Sequence, residues 1–204
     1  MNSIGPSLNA VPGENKKAAV FLDRDGVINS STKPDGSYNP VNHADELVVY
    51  DQAKEALSRL ASKTDLLTVV VTNQGGIGAG YMTEKDLKEI NNKLKNEIED
   101  CGGRIDAIYY CTSNDKNDPM RKPNPGMILK AAEDLNIDLD RSYLIGDQTT
   151  DIAAGERADT DVKSIMVQTG SAGKDGKENI PPDRICRDLN EAVDYIIADY
   201  RKIV

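Results

Sequence analysis

The 204-residue chain has no tryptophan, a single phenylalanine, one histidine and three cysteines. Each scarcity removes a class of chemistry. With His43 alone, a histidine general base or a Cys/His metal cage finds few candidates, so catalysis has to run on carboxylates, Lys, Arg and hydroxyls. Cys101, Cys111 and Cys186 are odd in number and widely spaced, which suits reduced thiols in a cytoplasm better than a disulfide framework. The lone sequon at Asn29-Ser30-Ser31 then carries no meaning. No apolar run is long enough for a bilayer crossing, so no membrane is expected. Positive charge is short too: 25 Lys and Arg against 34 Asp and Glu leave a net charge of -9, which disfavours nucleic acid. An anionic substrate must therefore be met by a local cluster of cations, amides or metal.

What is present is an alternation. Short runs rich in Val, Ile and Leu at Ala18–Leu22, Leu66–Thr72, Ile105–Cys111, Tyr143–Gly146 and Ser164–Gln168 read as buried parallel strands. Helical patterns fall between and after them at Gln52–Ser62, Glu84–Asp100, Pro125–Leu135, Thr150–Arg157 and Asn190–Ile203, and Arg184–Arg187 adds an edge strand. Parallel strands need crossovers, so the expected fold is α/β: a doubly wound, Rossmann-like parallel sheet with helices on both faces. Residues 1–17 read as a flexible arm and 18–204 as one domain. Val27–Tyr50 and Ala172–Pro182 break the alternation and are expected to be surface loops.

Four motifs carry chemistry. Phe21-Leu22-Asp23-Arg24-Asp25-Gly26 places two carboxylates two residues apart at the end of the first strand, where open α/β sheets bind ligands. Thr72-Asn73-Gln74-Gly75-Gly76 ends the next strand with a hydroxyl, two amides and paired glycines that can cradle a phosphate. Arg121-Lys122-Pro123-Asn124-Pro125 offers two cations to a phosphate dianion. Gly146-Asp147-Gln148-Thr149-Thr150-Asp151 sets one acid at a strand end and another four residues on, suited to metal ligation and its support. Alone, each has an ordinary reading as a turn, a solvated basic loop or a helix cap. Together they converge on one crevice and supply what attack on a phosphoryl group needs.

By DxDG at Asp23–Gly26, Thr72, Lys122 and GDxxxD at Gly146–Asp151, the chain resembles the haloacid dehalogenase superfamily. FLDRDGVIN, VVTNQGGIG, RKPNPGM and LIGDQTTDIAAG are similar to the branch that holds the heptose bisphosphate and histidinol-phosphate phosphatases. The resemblance implies a capless core and a Mg2+-dependent phosphomonoester hydrolase with an aspartyl-phosphate intermediate. Its expected substrate is D-glycero-D-manno-heptose 1,7-bisphosphate, losing the 7-phosphate, with histidinol phosphate as the alternative. It makes Asp23 the nucleophile and Asp25 the acid and base, with Thr72 and Lys122 on the phosphoryl group. Mg2+ would bind Asp23, the Asp25 carbonyl and Asp147, with Asp151 behind them. Substrate contacts are implied for Arg24, Tyr38, Asn73, Gln74, Gly75, Arg121 and Gln148, with Arg121 on the non-reacting phosphate. On physical grounds, a metal keeps Asp23 ionised and a neighbouring negative charge raises Asp25 toward its protonated form.

The chain also departs from that branch. Cys111-Thr112-Ser113-Asn114 has one Cys and no His where a zinc loop is typical, so no zinc is expected and packing should hold this loop. Gln148 stands where Lys is expected, and the loop around Asp35–Tyr38 is longer. The remaining expectations are a small phosphorylated metabolite as partner, a monomer, and a cytoplasmic location. A signalling receiver domain also uses an Asp acceptor with Mg2+, Thr and Lys, but lacks a second carboxylate where Asp25 stands.

Overall fold

A computed structural model describes residues 16–32, 39–158 and 160–203. Six strands form one parallel sheet: β1 Ala19–Leu22, β2 Leu67–Asn73, β3 Ala107–Cys111, β4 Tyr143–Gly146, β5 Lys163–Val167 and β6 Arg184–Cys186. The helices are α1 Asp51–Lys63, α2 Glu84–Asp100, α3 Gly126–Leu135, α4 Thr149–Glu156 and α5 Leu189–Ile203. The strand order is β3-β2-β1-β4-β5-β6. Winding therefore reverses beside β1, and the crevice of a doubly wound sheet opens at the carboxyl end of that strand.

Alternation along the strands builds two cores. In β1, Val20 and Leu22 face one cluster and Ala19 and Phe21 the other; Val70 and the pair Val69 and Val71 do the same in β2. The first cluster is closed by α1, α2 and α5 through Leu57, Leu60, Ile90, Leu94, Val193 and Ile196. The second is closed by α3 and α4 through Met127, Ile128, Ala131 and Ala154. Helix α2 shows why its sequence is helical: Leu87, Ile90, Leu94 and Ile98 recur every three or four residues and are all buried. Thr83 accepts from the Asp86 amide at 3.2 Å while Asp86 accepts from the Thr83 amide at 2.8 Å, and Gly102 ends the helix with φ +79°.

Element boundaries match the sequence reading within two residues. Strand β3 begins at Ala107 rather than Ile105 because the Asp106 carboxylate takes the Thr68 amide at 2.7 Å in place of a strand carbonyl. One expectation fails. Within Val27–Tyr50, Val27, Ile28, Val41, Leu47 and Val49 are buried in the first core, so this stretch is no surface loop. Ala172–Pro182 is the expected surface loop, with none of its residues buried, and it is docked at its start: the Gly173 amide donates to the Asp147 carbonyl at 2.8 Å. Most of the expected arm lies outside the described residues. Lys17, its last residue, is already tied to Asn136 and Asp138 by backbone bonds of 3.1 and 2.8 Å. No described helix is long and apolar enough to cross a membrane.

The start of the sheet depends on one hydroxyl. Ser142, 1% exposed, accepts from the Ala19 amide at 3.0 Å and donates to the Asp138 carbonyl at 2.5 Å. Replacing it with Ala leaves a buried donor unpaired, so Ser142→Ala should lower the unfolding free energy by about 1–3 kcal/mol in urea titration.

Candidate active site

Strand β1 ends at Leu22, and the Asp23 amide continues its ladder by donating to the Ile145 carbonyl at 2.9 Å. The chain then turns sharply: Gly26 adopts φ +90°, and the Ile28 and Asn29 amides both donate to the Arg24 carbonyl. This turn directs Asp23 and Asp25 into a cleft of about 830 Å³. The sheet order places the loops after β2 and β3 on one side of Asp23 and those after β4 and β5 on the other. The first side brings Gly75, Asn114 and Arg121 to the cleft, and the second brings Gln148, Lys177 and Glu178.

Lys122 sits at the base with 4% exposure. Its ammonium donates to Asp23 Oδ1 at 2.8 Å and the Val71 carbonyl at 2.8 Å, and pairs with Asp151 Oδ1 at 2.6 Å. Burial alone would lower its pKa, but Asp151 and Asp23 outweigh burial and raise it above the ordinary lysine value. Asn73 grips the Lys122 backbone from both sides, donating to its carbonyl at 3.0 Å and accepting its amide at 3.1 Å. Thr72, 1% exposed, also lines the cleft.

The remaining acids face a charge problem. Asp23, Asp147 and Asp151 bring carboxylate oxygens within 4.8 Å of one another, and one ammonium opposes three negative charges. Burial pushes Asp23 up to about 6, with Lys122 opposing the shift. Burial, together with Asp23 and Asp151, pushes Asp147 up to about 8. Asp151 has both oxygens engaged, one by Lys122 and the other by the Gln148 amide at 2.9 Å, where it closes the first turn of α4. Asp147 Oδ2 accepts from the Ser171 amide at 2.6 Å, but its buried Oδ1 has no partner among the described residues. A buried carboxylate oxygen without a donor, in a cluster short of positive charge, fits a cation. Asp23 and Asp147 would hold it, while Asp151 orients Lys122. Gly26 and Gly170 make room for Asp147. A Cβ on Gly26 would lie 2.5 Å from Asp147 Oδ2, one on Gly170 would overlap the same oxygen, and both glycines have positive φ.

Asp25 behaves opposite to expectation. Arg24, with a fully buried side chain, pairs with it at 2.9 Å; Asn29 donates to it at 2.9 Å and Gln74 at 2.8 Å. Burial would raise its pKa, yet Arg24 and these amides prevail and hold the carboxyl below the usual range. Arg24 also reaches Gln74 Oε1 at 3.0 Å and Asn91 Oδ1 at 3.3 Å. Arg24 and the buried Gln74 are therefore committed to Asp25, whereas Asn73, whose amide holds Lys122, also lines the cleft.

Arg121 and Gly75 do line the cleft. Arg121 donates to the Ser113 carbonyl at 2.7 Å, and a Cβ on Gly75 would overlap the Asn114 amide, which donates to the Gly75 carbonyl at 2.9 Å. Gln148 lines it too, accepting from Lys177 at 2.7 Å. Tyr38 lies outside the described residues. The loop after β3 is exposed from Asn114 to Asn117 and is held both by packing, with Met120 against the second core, and by hydrogen bonds: Asn124 donates to the carbonyls of Lys116 and Asp118 at 3.1 and 2.8 Å, and Asp118 accepts the Met120 amide at 2.9 Å. The sequence reading missed Lys177, Ser171 and Gly170, although the strand-end rule used for the other motifs applies equally after β5.

A family model described as HAD-hydrolase-like matches residues 119–192. The D-glycero-alpha-D-manno-heptose-1,7-bisphosphate 7-phosphatase of Burkholderia mallei is 35% identical over 183 residues, covering 81% of this chain and 93% of that protein. The D-glycero-beta-D-manno-heptose-1,7-bisphosphate 7-phosphatase of Pasteurella multocida is 36% identical over 170 residues, covering 79% and 88%. Among solved structures, the D,D-heptose 1,7-bisphosphate phosphatase of B. bronchiseptica, complexed with magnesium and phosphate, superposes with a TM-score of 0.78 at 29% identity, over 89% of this chain and 99% of that one. Strand-end acids, a buried lysine and relatives spanning most of both chains agree: this chain belongs to the haloacid dehalogenase superfamily, in the branch of the heptose bisphosphate phosphatases.

Proposed function

We propose that the chain is a Mg2+-dependent phosphatase that removes the 7-phosphate of D-glycero-D-manno-heptose 1,7-bisphosphate through an aspartyl phosphate on Asp23. The observation that carries this reading is the buried Asp23–Lys122 pair beside Asp147, whose Oδ1 lacks a donor among the described residues. Lys122 occupies one Asp23 oxygen and leaves the other for attack on phosphorus. The Asp23 O–P bond forms as the P–O bond to the sugar breaks, and Asp25 delivers its proton to the departing sugar oxygen. Asp25 then takes a proton from water, which attacks the same phosphorus, releases phosphate and restores Asp23. The grip of Arg24, Asn29 and Gln74 suits Asp25 to this second step as a base. An arriving phosphate dianion, being a like charge, favours the protonated form that the first step needs.

Mg2+ held by Asp23, Asp147 and the Asp25 carbonyl would supply positive charge against the phosphate dianion. That carbonyl accepts no backbone hydrogen bond among the described residues, which leaves it available. Thr72 would donate to a phosphoryl oxygen. Arg121, in the same cleft, would hold the phosphate that stays on the sugar. The named activity of the relatives supports the heptose substrate, and their names include both the alpha and the beta anomer.

Phosphate release should be measured with Mg2+ on both anomers of the heptose bisphosphate, on histidinol phosphate and on nucleotides. The heptose bisphosphate should give the highest kcat/KM; a higher value for histidinol phosphate would replace the substrate assignment, and release limited to one equivalent per chain would point to a receiver. Asp23→Asn should abolish turnover. Asp25→Asn should lower kcat by roughly 10²- to 10⁴-fold, the usual contribution of a positioned acid and base. Full activity of either variant would refute its role.

The raised acids also predict how the cation acts on stability. Asp23 and Asp147 bind protons more tightly folded than unfolded, since their folded values of about 6 and about 8 exceed the unfolded 3.8. Metal-free protein should therefore lose stability as pH rises through that window. A cation replacing those protons should increase Tm more at pH 8.5 than at pH 6. Calorimetry with and without Mg2+ checks this; an increment independent of pH would mean that the cation binds away from these carboxylates.

A further inference from the structure

After β5 the chain doubles back over the carboxyl ends of the strands. Besides the Ser171 and Gly173 bonds to Asp147, Asp175 accepts from the Thr149 amide at 2.8 Å and hydroxyl at 3.0 Å, and the Glu178 amide donates to the Thr149 hydroxyl at 3.0 Å. Lys177 lies between these two anchors, so its backbone position is set by the start of α4. Its ammonium donates to Gln148 Oε1 at 2.7 Å, and both side chains line the cleft.

The charge of Lys177 is poorly matched. A neutral amide holds it at close range, while its nearest carboxylate, Asp175 Oδ2, is 4.0 Å away and already accepts from Thr149. Its side chain is 56% exposed. Of the other cleft cations, Arg121 is likewise held by a neutral oxygen, the Ser113 carbonyl, whereas Lys122 has three oxygens around its ammonium, Arg157 is paired with Glu178 at 3.0 Å, and Lys116 is exposed on its loop with no side-chain hydrogen bond among the described residues. Lys177 is thus a cation steered into the cleft by an amide, with donors to spare and less rotamer freedom to lose on binding an anion than an untethered lysine. It belongs to the loop after β5 and Arg121 to the loop after β3, on opposite sides of Asp23.

We propose that Lys177, aimed by Gln148, is the second cation that recognises the non-reacting phosphate of the substrate, acting from the side opposite Arg121. This rests on the bisphosphate reading above. Gln148 is then a positioning residue, and discrimination between bisphosphates and monophosphates is divided between two loops. A phosphate held from two sides is fixed in direction as well as distance, so the far end of the sugar sets how the near phosphate meets Asp23.

The test is the ratio of kcat/KM for a sugar bisphosphate to that for the matching monophosphate, measured on one preparation so that any loss of folded protein cancels. In wild type this ratio should exceed one. In Lys177→Met it should fall about tenfold or more, the usual scale for a lost charge-assisted hydrogen bond, with the change in KM on the bisphosphate. Lys177→Arg should keep the ratio within about threefold of wild type, and Gln148→Leu should lower it partway. A wild-type ratio of one or less would remove the bisphosphate reading and this proposal with it. A high wild-type ratio that survives in Lys177→Met would overturn the role of Lys177 alone.

Discussion

The ammonium of Lys122 is the group on which the rest of the site depends. It comes from the loop after β3, passes beneath Asn73, and ends among an oxygen from β1's end, a carbonyl of β2 and an acid of α4. Three segments that are distant in sequence are pinned at one point. A lysine this deeply buried is tolerated only because its charge is matched by carboxylates, and those carboxylates are tolerated together only because the ammonium lies between them. The arrangement is stable as a set and costly in parts. It also explains Gly146: a Cβ there would overlap Asp151, so the glycine of the fourth motif serves the lysine's partner.

Around this centre the four acids are divided by their neighbours. Asp25 has a guanidinium and two amides to itself and stays readily ionised, whereas Asp23 and Asp147 share what remains of one ammonium and are pushed toward protonation. Identical side chains are thus assigned different chemistry by burial and pairing alone. In the proposed reaction, the group that exchanges a proton with water is the one kept basic. The groups left short of positive charge are those positioned to accept a cation.

The fold was legible because its signals are local. Apolar runs with period two, helices with apolar residues every three or four positions and capping pairs such as Thr83 and Asp86 report on their own neighbourhoods. Asp23, Asp25 and Asp147 were legible for a related reason: a charged residue just after a buried strand has few structural excuses, whereas Lys122, well beyond the end of β3, stood out only through its pairing with Arg121 before a Pro-x-Pro turn. The sign of the Asp25 shift was not legible, since it depends on Arg24 folding back onto its chain neighbour and on Gln74 arriving from β2's end. Nor could spacing show that Gln74 turns inward while Asn73 lines the cleft. Buried polar residues choose among partners by three-dimensional distance, which a linear motif does not encode. The stretch from Val27 to Tyr50 is illegible for the converse reason: its backbone is irregular, yet Val27, Ile28, Val41, Leu47 and Val49 are buried, and irregularity is not exposure.

The division between strand ends and loops bears on how such a site can change its substrate while keeping its reaction. Asp23, Asp25, Lys122 and Asp147 are locked to the sheet by buried contacts, so altering any of them disturbs several others. The cleft walls are built differently. The loop after β3 is held by Asn, Asp and Ser bonds to its own backbone, and the loop after β5 is hung on Asp147 and Thr149. Each wall is fixed at its root, and its outward residues, Arg121 and Lys177, contribute little to the hydrogen bonding of the centre. A side chain at a wall can therefore be exchanged with small cost to the fold, and a cation absent from one backbone position can be supplied by another that reaches the same space. On the proposed reading, what matters is the location of charge relative to Asp23, and Arg121 and Lys177 offer it from one loop each.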